Sequence, residues 1–196
     1  MSTPAAPPAD ITETNRAVAR MLAGSLGGRP SVARHADETG RSHVDILTCH
    51  DAPRPGLTAC ATVTLANHPL YQDGIEFPGR CEILGVGTDP DVARMLAACA
   101  FQVIDGRWFL APGIVFPGLL TGLSASLAHV LFVPPVLFEA RLQTLPAPDA
   151  ALAFLQAVPI SQAEYAFAEE SGGDALEDLF ATRGTDLFDL QRPSVL

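Results

Sequence analysis

The sequence predicts an α/β (α+β) fold in which helices flank a large β-sheet, and three observations support it. Residues 43–49 and 57–65 have the β-branched alternation of strands and stand on either side of a turn rich in proline. Capping residues precede apolar stripes at helical spacing. Residues 108–138 include no Asp, Glu, Lys or Arg, so the chain either buries this segment or places it in a membrane.

The charge-free segment 108–138 is too interrupted to be a membrane helix. It contains four prolines and three glycines, and an internal proline costs a helix about 3 kcal/mol. The longest stretch without proline, 118–133, includes His129 and is shorter than the roughly 20 apolar residues that a spanning helix needs. The segment is therefore predicted to form buried core, with a strand at 127–133 and an outer strand at 136–142.

Length and composition bound the class of protein. A chain of 196 residues is predicted to form one domain, residues 11–196, after a disordered Pro/Ala-rich tail at 1–10. The net charge of −10 argues against nucleic-acid binding and fits a soluble protein or one with a basic partner. The four cysteines form no C-x-x-C pair and the N-terminus lacks the features of a secretory signal, which predicts reduced thiols in the cytoplasm. No cofactor and no membrane partner are expected.

Capping residues predict two helices in the first half of the chain. Thr12 is expected to cap a helix over 12–23. Asp89 and Pro90 fit the cap and the first position of another helix, and the apolar stripe of that helix covers 92–103.

Two further helix starts lie near the C-terminus. Ser161 and Glu164 form a capping box, and Asp174 is expected to cap a last helix that stops at Gly184. The other segments carry weaker signals: a polar connection at 26–40, a loop at 66–80, a strand at 81–86 and helical propensity at 147–151.

Three blocks of sequence, followed by a terminal Arg-Pro segment, occur in a characteristic order. They are HVDIL at 43–47, HVLFVPP at 129–135 and AFLQAVPISQAEYAFAEESGGDALEDLF at 153–180, with DLQRPSV at 189–195. In this order the chain resembles the suppressor of fused domain family, in its bacterial branch. The resemblance covers about 44–195, and its motifs are structural rather than catalytic.

The resemblance implies a mixed β-sheet sandwich with flanking helices. In that arrangement 154–158 is a strand, and 108–138 supplies central strands and their connections. Bacterial members look like immunity proteins that neutralise a cognate toxin by binding it, and the animal member is a scaffold that sequesters a transcription factor. This chain departs from the family pattern at 113–122, where an apolar sequence replaces a polar Gly-His segment, so no polar site of the family is assigned there.

Two motifs have a superficial likeness to functional loops. The sequence GVG at 85–87 lies between a strand and a helix, but it lacks a third glycine, and Asp89 would occupy the phosphate position. The sequence GLSAS at 122–126 resembles a nucleophile elbow but ends in serine instead of glycine. We interpret the first as part of a helix start and the second as small polar residues in a core connection.

Histidine, cysteine and aspartate side chains do not predict a metal centre. In a strand, His43, Asp45 and Cys49 share one face, whereas His50 points to the other. Three ligands on one short strand give poor tetrahedral geometry for zinc. His129 lies in an apolar strand and is interpreted as a satisfied core histidine rather than a base.

Acidic residues on the two C-terminal helices are the candidate partner-binding set. They are Glu164, Glu169, Glu170, Asp174, Glu177 and Asp178. One interpretation is an ordinary solvated helical face. The other is a negative patch that steers and docks a basic partner, such as a toxin with a cationic active-site cleft.

The leading hypothesis is a non-catalytic protein-binding module, an immunity protein that neutralises a cognate bacterial toxin by direct binding. One alternative is an enzyme or small-ligand-binding protein that uses a pocket near Trp108 and His129, which would need convergent polar groups in one concave site. Another is a housekeeping scaffold protein without a toxin.

Overall fold

A computed structural model describes residues 11–88, 91–138, 141–145 and 150–196 of the chain. The predicted tail at 1–10 lies outside these residues. The helices of the described part are α1 (Glu13–Leu26), α2 (Val92–Ile104), α3 (Gln162–Ser171) and α4 (Gly173–Arg183). The strands of the described part are β1 (Arg29–Ala36), β2 (His43–His50), β3 (Thr58–Thr62), β4 (Leu70–Gln72), β5 (Ile75–Phe77), β6 (Gly79–Gly87), β7 (Val115–Phe116), β8 (His129–Val133) and β9 (Ala151–Ile160).

Seven of these strands form one mixed sheet in the order β1-β2-β3-β6-β9-β8-β7. Neighbouring strands are antiparallel except for β6 and β9, which pair in parallel at the middle of the sheet. Strands β4 and β5 form a separate two-stranded hairpin. The predicted α/β fold with a mixed sheet and flanking helices is confirmed.

Both faces of the sheet are covered, which makes a layered sandwich. Helix α2 and part of the charge-free segment pack on one face, where Val130 and Phe132 of β8 belong to the same buried cluster as Leu96. On the other face α1 packs at the β2–β3–β6 end, and α3 and α4 pack at the β8–β9 end against Leu131 and Val158. Alternate residues of β2, β3, β6, β8 and β9 therefore enter different cores.

The charge-free segment is only partly buried, and it lies at one end of the sheet. Phe116 and the whole of β8 are buried, whereas the turns at 112–113, 117–118 and 121–122 are exposed. All five residues of β8 are buried because the strand has layers on both sides. Phe116 packs edge-on between Trp108 and Phe132, with ring centroids 5.0 and 4.7 Å away. The expectation that the segment supplies central strands is wrong, since β7 is an edge strand and β8 is its neighbour. No helix in the described part of the chain is long and apolar enough to cross a membrane.

Local signals placed two helix starts correctly. The Thr12 side chain caps α1 by accepting the Asn15 N–H, and the Asn15 side-chain oxygen accepts the Thr12 N–H. Ser161 and Glu164 form the predicted capping box of α3. Asp89 and Pro90 lie outside the described residues, and α2 itself begins at Val92.

The GVG sequence at 85–87 serves strand–helix packing. A Cβ added at Gly85 would meet side-chain atoms of Val92 and Met95 at 3.1 Å. Glycine thus lets α2 approach β6 closely, and the sequence ends a buried strand rather than cradling a phosphate.

Two connections predicted from composition contain strands. Strand β1 lies in the predicted polar connection, and it pairs with β2 over all eight of its residues. Its side chains are almost all exposed, so no hydrophobic alternation marks it. Strands β4 and β5 lie in the predicted loop and are joined by Asp73-Gly74, both with positive φ, which is the geometry of a tight hairpin turn.

The outer strand predicted at 136–142 is not formed by 136–138 and 141–142, the residues of it that the structure describes. Val136–Phe138 is a short 3-10 turn, and the Leu142 N–H donates to the Phe138 carbonyl at 2.8 Å. The preceding Pro134 and Pro135 have no N–H for a strand ladder, so the chain turns there. Residues 139–140 and 146–149 lie outside the described part. The second range includes the first three residues of the helix predicted at 147–151, and the last residue of that helix, Ala151, begins β9. The strand that the resemblance implied at 154–158 is confirmed within β9.

Candidate protein-binding surface

The C-terminal helices dock on the β8–β9 end of the sheet through a small apolar cluster. Leu176 and Phe180 of α4 are buried against Leu131 and Val158. The corner between α3 and α4 is tight because Gly172 has φ +91° and serves both helices as a cap. The Asp174 cap predicted for the last helix is therefore wrong, and this carboxylate is exposed.

Glu164 is not part of any binding surface, which corrects its place in the predicted acidic set. Its side chain is 0% exposed. It accepts the Ser161 N–H at 2.8 Å in the capping box and the Val195 N–H at 2.9 Å. Sequence pattern showed the capping role, but the burial depends on a partner 28 residues away.

That partner is Arg192 of the terminal Arg-Pro element. Its Nη1 and Nη2 donate to the two Glu164 oxygens at 2.7 and 2.9 Å. Nη2 also donates to the Pro159 carbonyl at 2.9 Å, and the guanidinium lies 5.0 Å from the Phe180 ring centre. Burial opposes the charged form of Glu164, but hydrogen bonds from Arg192, Ser161 and Val195 outweigh it and lower the pKa of this carboxyl.

The other five acidic residues remain at the surface. Glu169 and Glu170 are exposed on α3, Asp174 and Asp178 are exposed on α4, and Glu177 is half-buried. Burial raises the pKa of Glu177, and the charges of Asp174 and Asp178 raise it further. Among the described residues, none of the five takes part in a salt bridge. Helices α3 and α4 thus present a mainly negative surface.

A cavity of about 620 Å³ opens beside this surface. Its floor is the β8–β9 face of the sheet, one wall is α4, and the other is the segment 184–188. Glu177, Asp178 and Asp186 line it together with Arg54 from the β2–β3 connection. The Arg54 guanidinium stacks over the Phe188 ring at 5.4 Å.

Sequence reasoning missed the cavity and the polar residue on its floor. Gln156 lines the cavity within the otherwise apolar strand β9, ALAFLQAVPI. A single polar residue in a buried strand is the one signal in the sequence that could have marked this place.

The pocket predicted near Trp108 and His129 is not formed. The two side chains lie on opposite faces of the sheet, Trp108 in the α2 core and His129 against Tyr165 of α3. His129 is buried, its Nδ1 accepts the Gly118 N–H at 3.1 Å, and its Nε2 lies 3.1 Å from the Gln162 side-chain oxygen. It is a satisfied core histidine, as predicted.

The remaining motif residues have structural roles. Ser124 donates to the Leu190 carbonyl at 2.6 Å and Ser126 to the Arg192 carbonyl at 2.7 Å, so these serines hold the terminal segment in place. Asp45 of β2 accepts two bonds from Arg34 of β1, at 2.8 and 3.0 Å. In the described residues no group of three or more His, Cys, Asp or Glu side chains has metal-binding geometry.

Comparison with known proteins identifies the family. Residues 40–193 match the family described as Suppressor of fused protein (SUFU). The chain belongs to the suppressor of fused family. Within it, a relative named Immunity protein YqcF, from Bacillus subtilis (strain 168), is 34% identical over 190 residues, which is 95% of this chain and 99% of that protein.

Solved structures share the fold of this suppressor of fused domain. A putative suppressor of fused homolog from Neisseria gonorrhoeae FA 1090 superposes with a TM-score of 0.67 at 17% identity, covering 94% of this chain and 97% of that one. A chain of the Sufu-Fu complex gives a TM-score of 0.65 at 12% identity, covering 93% and 92%. At these identities the likeness establishes the architecture alone.

Proposed function

We propose that this chain is an immunity protein, a non-catalytic cytoplasmic module that neutralises a cognate bacterial toxin by binding it directly. The observation that carries the proposal is the 34% identity to Immunity protein YqcF over nearly the whole of both chains. Identity that spans both full lengths supports a shared role more strongly than a shared fold does, because many functions occur on one fold.

The acidic surface on α3 and α4 supports a protein partner of opposite charge. Glu169, Glu170, Asp174 and Asp178 are exposed, and the whole chain carries a net charge of −10. A negative field of this kind accelerates encounter with a basic protein and suppresses contact with acidic ones.

Co-purification and rescue test the proposed function. The chain is co-expressed with the product of the gene next to its own, tested as the candidate toxin, and the complex is isolated and cell survival is counted. We expect a stable complex and survival of cells that otherwise die. Absence of both the complex and the rescue would refute the immunity role.

Charge reversal tests the role of the acidic surface. We expect Glu169→Arg with Glu170→Arg to slow association with the toxin by about tenfold at low ionic strength, because electrostatic steering acts mainly on the association rate. The dissociation rate should change less. Stopped-flow or surface-based kinetics at two salt concentrations measures both rates.

The matched control reverses Glu13 and Glu38, two exposed carboxylates remote from α3 and α4 in the sequence. It changes the net charge by the same amount. Equal slowing in both double variants would show that net charge alone matters and would remove the acidic surface from the proposal.

A further inference from the structure

Two polar atoms at the cavity beside α4 have no hydrogen-bond partner among the described residues. They are Oε1 of Gln156 and Oγ1 of Thr185, and both residues line the cavity. Gln156 is 7% exposed. A buried polar group without a partner destabilises a fold, since it has lost its bonds to water and gained nothing in return.

Gln156 lies between two apolar clusters, at a place where an apolar side chain would be buried favourably. On its face of the sheet, Phe154 belongs to the cluster under α1, whereas Val158 and Ile160 belong to the cluster under α3 and α4. An apolar side chain at 156 would join the two clusters into one core. The strand instead presents an amide at the seam, where the cavity opens.

The walls of the cavity are apolar. Leu131, Val133 and Val158 come from the sheet, Phe180 from α4, and Leu187 and Phe188 from the segment that follows it. Its volume of about 620 Å³ lies within the range of roughly 300–1,000 Å³ typical of ligand pockets. The cavity can therefore hold a large side chain together with part of the backbone that carries it.

The charged residues of the cavity are mostly negative. Asp178 and Asp186 are exposed and so stand at its mouth, with half-buried Glu177 beside them. Arg54, the positive residue of the lining, stacks on Phe188, so three carboxylates face one guanidinium. Burial raises the pKa of Glu177, and the charges of Asp174 and Asp178 raise it further.

We propose that this cavity receives an aromatic side chain with a polar tip, Trp or Tyr, from the protein partner, and that an adjacent Arg or Lys contacts the acidic mouth. The ring would pack on the apolar walls, and its N–H or O–H would bond to the Gln156 amide, whose terminal torsion turns easily. Such residues dominate the energetics of protein interfaces. This inference rests on the proposed function for its partner, but the site can be tested without one.

Small probes test the site by itself. In a titration of the ¹⁵N-labelled protein, tryptamine supplies an indole with a cation, and indole-3-propionate supplies the same ring with an anion. We expect tryptamine to shift the Gln156 side-chain amide and the Thr185 backbone amide, and to bind about fivefold more tightly than the anion, because of the exposed carboxylates. No shifts at these residues, or equal binding of the two probes, would overturn the proposal.

A variant that fills the cavity tests whether the cavity contributes to partner binding. Ala181 lines the cavity from the exposed side of α4, and Ala166 is exposed on α3 outside it. We expect Ala181→Trp to weaken toxin binding about 100-fold, which is the usual effect of losing one hot-spot residue from an interface. The variant should also abolish tryptamine binding, and its midpoint of thermal unfolding should not change. Ala166→Trp is the matched control and should alter neither. Unaltered toxin binding by Ala181→Trp would refute the anchor.

A second variant separates a binding role of Gln156 from a structural one. Gln156→Met removes the unpaired amide at similar volume, so we expect an equal or higher midpoint of thermal unfolding and about tenfold weaker tryptamine binding. A lower midpoint with unchanged tryptamine binding would show that the amide serves the fold. Tryptamine binding without any toxin complex would support the cavity as a binding site and refute the proposed immunity function. A toxin complex without tryptamine binding would support the immunity function and refute the cavity as a binding site.

Discussion

Replacing Arg192 by Met is expected to lower the free energy of unfolding by about 3–5 kcal/mol, the usual cost of leaving one member of a buried ion pair without the other. The Glu164 carboxylate would remain fully buried with only backbone donors, from Ser161 and Val195. The Pro159 carbonyl would also lose its donor. Urea unfolding followed by circular dichroism measures the change.

Two further variants show whether the loss comes from the buried pair. Arg192→Met with Glu164→Gln should be more stable than Arg192→Met alone, because no charge is then left buried. Arg29→Met removes one member of a salt bridge in which Arg29 is 82% exposed, and we expect a change below about 1 kcal/mol. Equal losses in Arg29→Met and Arg192→Met would contradict this account of the terminal Arg-Pro element.

The contribution of Glu82 to the stability of the protein is expected to fall by about 3 kcal/mol as pH rises from about 4.5 to about 7. Glu82 is fully buried in β6 and accepts the N–H groups of Leu65 and Ala66 at 3.2 and 3.1 Å. Burial nevertheless raises its pKa from 4.5 to about 7. In that range the folded protein keeps a proton that the unfolded chain releases, so rising pH favours unfolding.

The variant Glu82→Gln should remove this slope, since the amide is neutral at every pH. The comparison is of slopes rather than of absolute stability, because the amide NH₂ replaces one of the two oxygens that accept backbone bonds. Glu76→Gln, at an exposed carboxylate of β5, is the control and should keep the slope. An unchanged slope in Glu82→Gln would show that another group is responsible.

Glu164 acts in the opposite direction and in a different range of pH. Its pKa is lowered, so the stability that it contributes is present above the ordinary carboxyl pKa and is lost as pH falls through the lowered value. The Glu164–Arg192 ion pair therefore does not cause a loss of stability as pH rises from about 4.5 to about 7.

The candidate site illustrates what a linear pattern can and cannot reveal. The spacing of Ser161 and Glu164 marked a helix start correctly, and the same acidic pattern suggested that Glu164 faces a partner. Burial by Arg192 excludes that role, because the terminal segment returns across the end of β9. The cavity was invisible in the sequence, since its residues come from four separate parts of the chain.

The sequence by itself determined the local structure of this protein. Thr12 and Ser161 cap their helices, Gly184 ends the last one in a left-handed conformation, and strands β2 and β3 pair around a proline-rich turn. It also determined that the apolar residues of the charge-free segment that form β8 enter the core. Each of these depends on hydrogen bonds or steric limits within a few residues, or on transfer of apolar groups from water, so composition and spacing suffice to predict them.

Only the tertiary structure decided which strands are neighbours and where the charges lie. The parallel pairing of β6 with β9 joins segments that are more than 60 residues apart, and exposed β1 is a strand only because β2 offers it hydrogen bonds. The same long-range packing buries Glu164, leaves the side-chain oxygen of Gln156 without a hydrogen-bond partner among the described residues, and opens the cavity beside α4. Such outcomes depend on distant groups meeting in space, where burial rather than local propensity sets the energy of a polar side chain.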